Sequence, residues 1–275
     1  MQVGAGDFDA LSSPRHYCIT YTEGLIMTIS VNHTAHGTQI SDGDRIQFFA
    51  PNGIVDHPAM KASLAPLVAA LAGTAETMAE RSAELTATGR VALARTMLSP
   101  TAPTHFQAAV RAVPAALAAV DREDADMRPK RPALSDARAV EHRGNALRMK
   151  LPDVIRIASE DHEFRRAVAE GSPAMSGLPA DIHARLQADD ARDALATAWA
   201  SQHAKASPSA DDPVPASVDM APAYAWADAF NARVTAERQA IASVSPFLAS
   251  VVTVVAAMTD TTRDDAFAFL TGATP

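Results

Sequence analysis

The chain has 275 residues, a formal net charge of -8 and one cysteine, Cys18. The length suffices for one large domain or two small ones with a real core. The acidic balance argues against general affinity for nucleic acid, which needs a basic surplus, and a single cysteine excludes an intramolecular disulfide framework. Alanine is the commonest residue and aromatics make up only 5%. That composition favours helix strongly while offering little bulk to bury. It predicts an all-α protein, built as an elongated helical bundle or antiparallel coiled coil with an N-terminal helical hairpin and a flexible leader.

Residues 1–57 are rich in Gly, Ser, Thr and Asp, show no helical period and read as the flexible leader. Within them Ile26 to Val31 and Arg45 to Phe49 have the composition of short strands or extended pieces. The N-terminus lacks a basic region followed by an apolar core, so no cleavable signal peptide is expected. The codons for Glu23 and Gly24 can spell a purine-rich ribosome-binding sequence, which makes Met27 a candidate start. His33 and His36 stand three apart without further ligands at metal spacing, and Asp42-Gly43-Asp44 lacks the later acidic positions of a calcium loop. Both read as loop features.

The predicted helical hairpin occupies 58–127. Its first helix carries Leu64, Val68, Leu71, Ala75, Met78 and Leu85 on one stripe. Ser99-Pro100-Thr101-Ala102-Pro103 stops that helix. The second carries Phe106, Val110, Val113, Leu117 and Val120 at heptad spacing, as a second seam. Arg128-Pro129-Lys130-Arg131-Pro132 links to central helices over 128–205. The first of these turns Val140, Leu147, Leu151, Val154, Ile155 and Ala158 inward and is kinked or divided by Pro152. The second, from Ala180, turns in Ile182, Leu186, Leu195 and Trp199. A basic tract runs through Arg138, Arg143, Arg148, Lys150 and Arg156, without the interleaved aromatics that base stacking needs. It reads as a solvated face. Residues 206–222 form a Pro-rich linker.

The strongest periodic signal lies in the C-terminal segment, 223–275. Trp226, Phe230, Val234, Ile241, Val244, Leu248, Val251, Val255 and Met258 form a helix-packing seam. Ala240 to Met258 is also an uncharged run of nineteen residues, about the length of a bilayer core. Pro246 and the hydroxyls of Ser243, Ser250 and Thr253 on the far face favour a packed helix over a lipid-facing one. Thr261 or Thr262 is expected to cap a last short helix.

The sequence contains no Walker A loop, no Gly-x-Gly-x-x-Gly, no His-Glu-x-x-His, no Gly-x-Ser-x-Gly and no Cys-x-x-Cys. The cluster Glu160-Asp161-His162-Glu163 occupies consecutive helix positions that cannot converge. With Asp189-Asp190, Asp193 and Asp264-Asp265 it reads as solvated surface. The expectation is a non-enzymatic protein with no catalytic, cofactor-binding or metal-ligating residues.

Ala225-Trp226-Ala227-Asp228-Ala229-Phe230 opens a seamed helix that ends near Thr259-Asp260-Thr261, followed by Phe269-Leu270. This stretch resembles the C-terminal helix of the type III secretion needle-tip proteins, the hydrophilic translocators. The resemblance implies a virulence-associated protein secreted without a cleavable signal peptide and otherwise cytoplasmic. Its hairpin would act as a built-in chaperone, its long helices would form a central coiled coil, and it would cap the secretion needle. The apolar run Ala240 to Met258 is closer to the pore-forming translocators of the same systems. Partners are expected to be proteins meeting helical seams, by self-association or in the secretion apparatus, with membrane contact through 240–258 and no nucleic acid. The other functional classes compatible with the sequence are a membrane-inserting or C-terminally anchored helical protein and a phage-like particle assembly factor.

Overall fold

The computed structural model describes residues 29–42, 46–132, 134–203 and 218–273. Cys18, the candidate start Met27, Gly43-Asp44 and most of the Pro-rich linker lie outside these residues. Among those described, the chain is mostly helical, with eleven helices and a three-stranded sheet. It divides into two compact units. Unit 1 comprises residues up to 118 together with 238–275, and unit 2 comprises 119–237.

Unit 1 opens on an antiparallel meander: β1 (Ile29–Thr34), β2 (Gly37–Asp42) and β3 (Ile46–Pro51) in the order β1-β2-β3. The sheet stands where the sequence reading expects a flexible leader. Ile46, Phe48 and Ala50 alternate inward along β3 while Gln47 and Phe49 face out, the period-2 pattern of a half-buried strand. Only the middle strand went unforeseen. Its sequence, GTQISD, contains one large apolar residue, Ile40, yet that residue is fully buried. A Cβ on Gly37 would collide with the Ala50 carbonyl oxygen, so glycine is required where β2 crosses β3.

A short helix, α1 (Asn52–Val55), leads into α2 (Lys61–Glu80), which packs across β1 and β2. Leu64, Leu67, Leu71 and Ala75 of α2 are fully buried, and His33 of β1 meets Glu76 at 3.2 Å. The single helix predicted over Pro58 to Leu98 is divided. After α2 the chain turns, Thr86 accepts a hydrogen bond from the Gly89 N–H at 3.1 Å, and α3 (Ala87–Leu98) begins. A side-chain cap competes with continuation of the helix at that point. The observed helical pair is therefore α2 with α3, and α4 (Ala102–Met127) follows.

In unit 2, the first predicted central helix, the one carrying Val140 to Ala158, is divided: α5 (Asp136–Arg148) and α6 (Leu151–Glu160), with α7 (His162–Ala169) after them. Pro152 divides it rather than kinking it. It sits in the first turn of α6, where its missing N–H costs nothing, and Met149 before it is extended. Asp161 ends α6 and caps α7 by accepting from Glu163 N and Phe164 N. After α8 (Pro173–Ser176), Gly177 takes the left-handed conformation at φ 66°, and α9 (Ala180–His203) follows. Val154, Ala158, Phe164, Val168 and Leu186 form the apolar core of these helices.

The last long helix, α10 (Ala221–Met258), runs unbroken through Pro246 and is shared between the units. All the seam residues from Phe230 to Met258 are buried, with Ile241, Val244, Val251 and Val255 at 1% exposure or less. Trp226 is half-buried. In unit 1, Phe247 meets Phe48 of β3 at 5.6 Å between ring centres. The hydroxyls of Ser243, Ser250 and Thr253 donate to carbonyls of their own helix. By length and composition both α2 and α10 are apolar enough to cross a membrane, at mean hydropathies of 1.2 and 2.0. Half or more of each apolar window, 50% and 56%, is buried within the fold. Asp260, at φ 48°, ends α10, and Thr262 caps α11 (Arg263–Thr271) through Asp265 N at 3.1 Å.

Candidate protein-interaction groove

The C-terminal cap positions the candidate site. The left-handed Asp260 reverses the chain after α10, and Thr261 N bonds back to Ala256 O at 3.0 Å, closing the helix end. That turn lays α11 beside α4 within unit 1. Phe267 meets Phe106 edge-to-face at 6.2 Å, and the Gln107 amide donates to Leu270 O at 3.4 Å.

Between α4, α10 and α11 a groove of about 550 Å³ remains open. Leu248 and Val252 of α10 and Phe106 of α4 are buried along it, while Val110 and Phe267 are 46% and 50% exposed. Arg263 and Asp264, at the start of α11, place one charge of each sign on the lining. Leu117 continues the α4 stripe at 40% exposure. The stripe Phe106, Val110, Val113, Leu117 and Val120, expected as the seam of the hairpin's second helix, is covered only in part. Phe106 and Val120 are buried, but Val110 and Leu117 stay 46% and 40% exposed among the described residues. The sequence signal was present in the heptad spacing; which part of the stripe lacks a partner was not.

The polar clusters of unit 2 are held in internal ion pairs. In unit 2, Arg165 is 6% exposed. It donates to Ala158 O at 3.1 Å and pairs with Asp193, which also meets His162 at 2.9 Å. Arg131 forks onto Asp190 at 3.0 and 2.5 Å. Asp190 and Asp193 are thus held in ion pairs away from water, not on the solvated surface the sequence reading expects. Glu160, Asp161, His162 and Glu163 do not all converge: Glu160 meets Arg156 and Asp161 caps α7, while His162, which meets Asp193, and Glu163, which meets Arg138, line one pocket of about 600 Å³ with Arg131 and Asp190. His33 bonds Thr38 and Glu76, and among the described residues no group of His, Cys, Asp and Glu is arranged to hold a metal ion.

Two exposed ion pairs also sit within unit 2. Arg192 of α9 forks onto Asp228 of α10 at 2.6 and 2.8 Å, and Arg233 of α10 reaches Glu123 of α4 at 2.5 Å. Hydrogen bonding from the guanidinium holds Asp228 below the ordinary 3.8 and Glu123 below the ordinary 4.5. A carboxylate depressed in the folded state contributes stability above its unfolded value and loses it as pH falls through the lower folded value. The tryptophans of the chain, Trp199 and Trp226, stack on one another in this unit at 6.1 Å, and the whole chain has only these two. Tryptophan fluorescence in an acid titration should therefore report unit 2 loosening below about pH 4. Arg192→Ala should flatten part of that transition, and an unaltered curve would remove the ion pair from the account.

Comparison with known proteins adds nothing to this geometry, since no family model, curated protein or solved structure matches the chain.

Proposed function

We propose that this chain is a non-enzymatic helical interaction protein whose unit 1 groove receives one amphipathic helix of a protein partner. The carrying observation is the α4 stripe, which holds heptad spacing yet leaves Val110 exposed beside Phe267 in the groove and Leu117 exposed further along the helix. A partner helix with apolar residues at i, i+3 and i+4 would complete that stripe in the helix-in-groove manner. Arg263 and Asp264 favour a peptide with mixed charges along its edge over a lipid tail or a uniformly anionic ligand.

The finer assignment rests on the resemblance of Ala225 to Phe230 and the following helix to the needle-tip proteins. On that reading the chain is a secreted tip or translocator component of a type III secretion system, built as an elongated bundle or antiparallel coiled coil. The unbroken 38-residue α10 supports it; the β-meander before α2 is a departure from the family's order of elements. A second reading, membrane insertion through 240–258, draws on the hydropathy of α10, but the burial of its seam favours the packed helix.

The test is a photo-crosslinking residue at Val110 or Phe267, in the full chain expressed in its own host, with the crosslinked peptide identified by mass spectrometry. The expected product is one amphipathic segment of a protein, lost in Val110→Asp. Crosslinks to lipid alone, or none, would sink the groove reading. Export that depends on a secretion apparatus tests the finer assignment separately.

A further inference from the structure

The second place where a predicted inward stripe is left open is the α5–α6 corner of unit 2. Val140, Leu147, Leu151 and Ile155 were all expected inside. They are 66%, 56%, 37% and 37% exposed, because the two-residue turn at Met149-Lys150 redirects the chain and only Val154 and Ala158 reach the core. Met149 at the turn is 38% exposed and Met175 on α8 is 54% exposed. α8 packs against α5, and the Leu147 side chain lies 3.0 Å from the Cβ position of Gly177, so Leu147 lies beside α8, with Met149 and Leu151 following it through the turn into α6; Ile155 lines a separate pocket with Ile182 and Leu186 of α9.

The charge around this corner is opposite to that of the chain. From residue 143 to 157 the sequence holds four cations and one acid, Asp153, in a protein of net charge -8; of these, Arg143 donates to the Ala167 carbonyl and Arg156 pairs with Glu160. Arg148 and Lys150 flank Met149, are exposed and form no ion pair among the described residues. Arg156 is exposed beside Ile155, and Glu160 lies 3.4 Å from it. Exposed Leu147, Met149 and Leu151 beside the unpaired cations Arg148 and Lys150 suit a segment that lies in a membrane interface, with Leu and Met below the headgroups and Arg and Lys against anionic phosphates. Nucleic acid would satisfy the cations and leave the apolar groups in water, and no aromatic residue stands among the exposed apolar ones to stack on a base.

We infer that the α5–α6 corner is a peripheral docking surface for an anionic lipid bilayer. The contact is interfacial, distinct from insertion of residues 240–258, and it does not depend on the groove of unit 1.

The test is co-sedimentation of the full chain with vesicles of phosphatidylcholine alone and with 30% phosphatidylserine, a composition chosen for the assay, at low and high salt. Binding should require phosphatidylserine and weaken with salt. Removing two interfacial cations should lower partitioning by more than about tenfold, so Arg148→Glu with Lys150→Glu should abolish it. Leu147→Ser with Leu151→Ser should also lower it markedly. All four positions are exposed, so helical circular dichroism should be unchanged. The inference is overturned by absence of binding to anionic vesicles, by salt-resistant binding that survives the charge reversal, as insertion of α10 would give, or by binding indifferent to the serine substitutions. Loss of self-association in these variants without any lipid binding would assign the corner to a protein contact and equally overturn it.

Discussion

Val244→Asp should destabilise the protein by about 3 kcal/mol or more, enough to remove much of the stability of a typical domain. Val244 is 1% exposed, on the same seam as Ile241 and Val251, which are 1% and 0% exposed. A carboxylate there would be shut away from water on an apolar seam, so it must ionise in an apolar setting or bind a proton. The control is Ala242→Asp, two residues earlier on the exposed side of the same helix. In a packed helix only the Val244 variant should lose its thermal transition, read by circular dichroism. In a helix immersed in lipid both aspartates would be costly. Equal melting of Val244→Asp and wild type would contradict the burial of the seam.

The second large effect is expected at Asp193. Its carboxylate, 17% exposed, faces the Arg165 guanidinium, 8% exposed, and Asp193→Ala leaves that cation buried with only the Ala158 carbonyl and the His162 ring. Breaking one side of a buried pair costs about 3 kcal/mol or more. Arg165→Met should cost much less. It removes the charge that needs desolvating, fills similar volume, and leaves Asp193 with His162 at 2.9 Å. Because Trp199 and Trp226 both lie in unit 2, urea unfolding followed by tryptophan fluorescence reads this loss directly. A pair of variants with equal midpoints would show that the ion pair is not held out of water.

These two sites differ in how far they were legible beforehand. The α10 seam was readable from spacing alone, because a 3-4 repeat of Val, Ile, Leu and Met on a helix has one low-energy disposition, inward. The Arg165–Asp193 pair was not. Twenty-eight residues separate its members, and nothing in either local pattern marks them off from solvated charges. The β-meander falls between. Its outer strands carry β-forming residues, while β2 is polar and becomes a strand because both neighbours supply its hydrogen bonds. The groove and the α5–α6 corner were legible as apolar stripes and misjudged in direction, since a stripe states that a face is apolar without stating what covers it.

The sequence by itself determined the helical character, the inward face of α10, a cap at Thr261 or Thr262, a kink or break at Pro152 and a stop after Leu98. All of these follow from local propensity, period and capping chemistry over a few turns of chain. Tertiary structure alone decided that Val110, Leu117 and Phe267 stay open, that the corner at Met149-Lys150 turns Leu147 and Leu151 outward among cations, and that Asp190 and Asp193 are withdrawn from water. Each of those outcomes depends on which surfaces distant segments bring together. That is settled by packing geometry and long-range burial, and a local pattern carries no record of it.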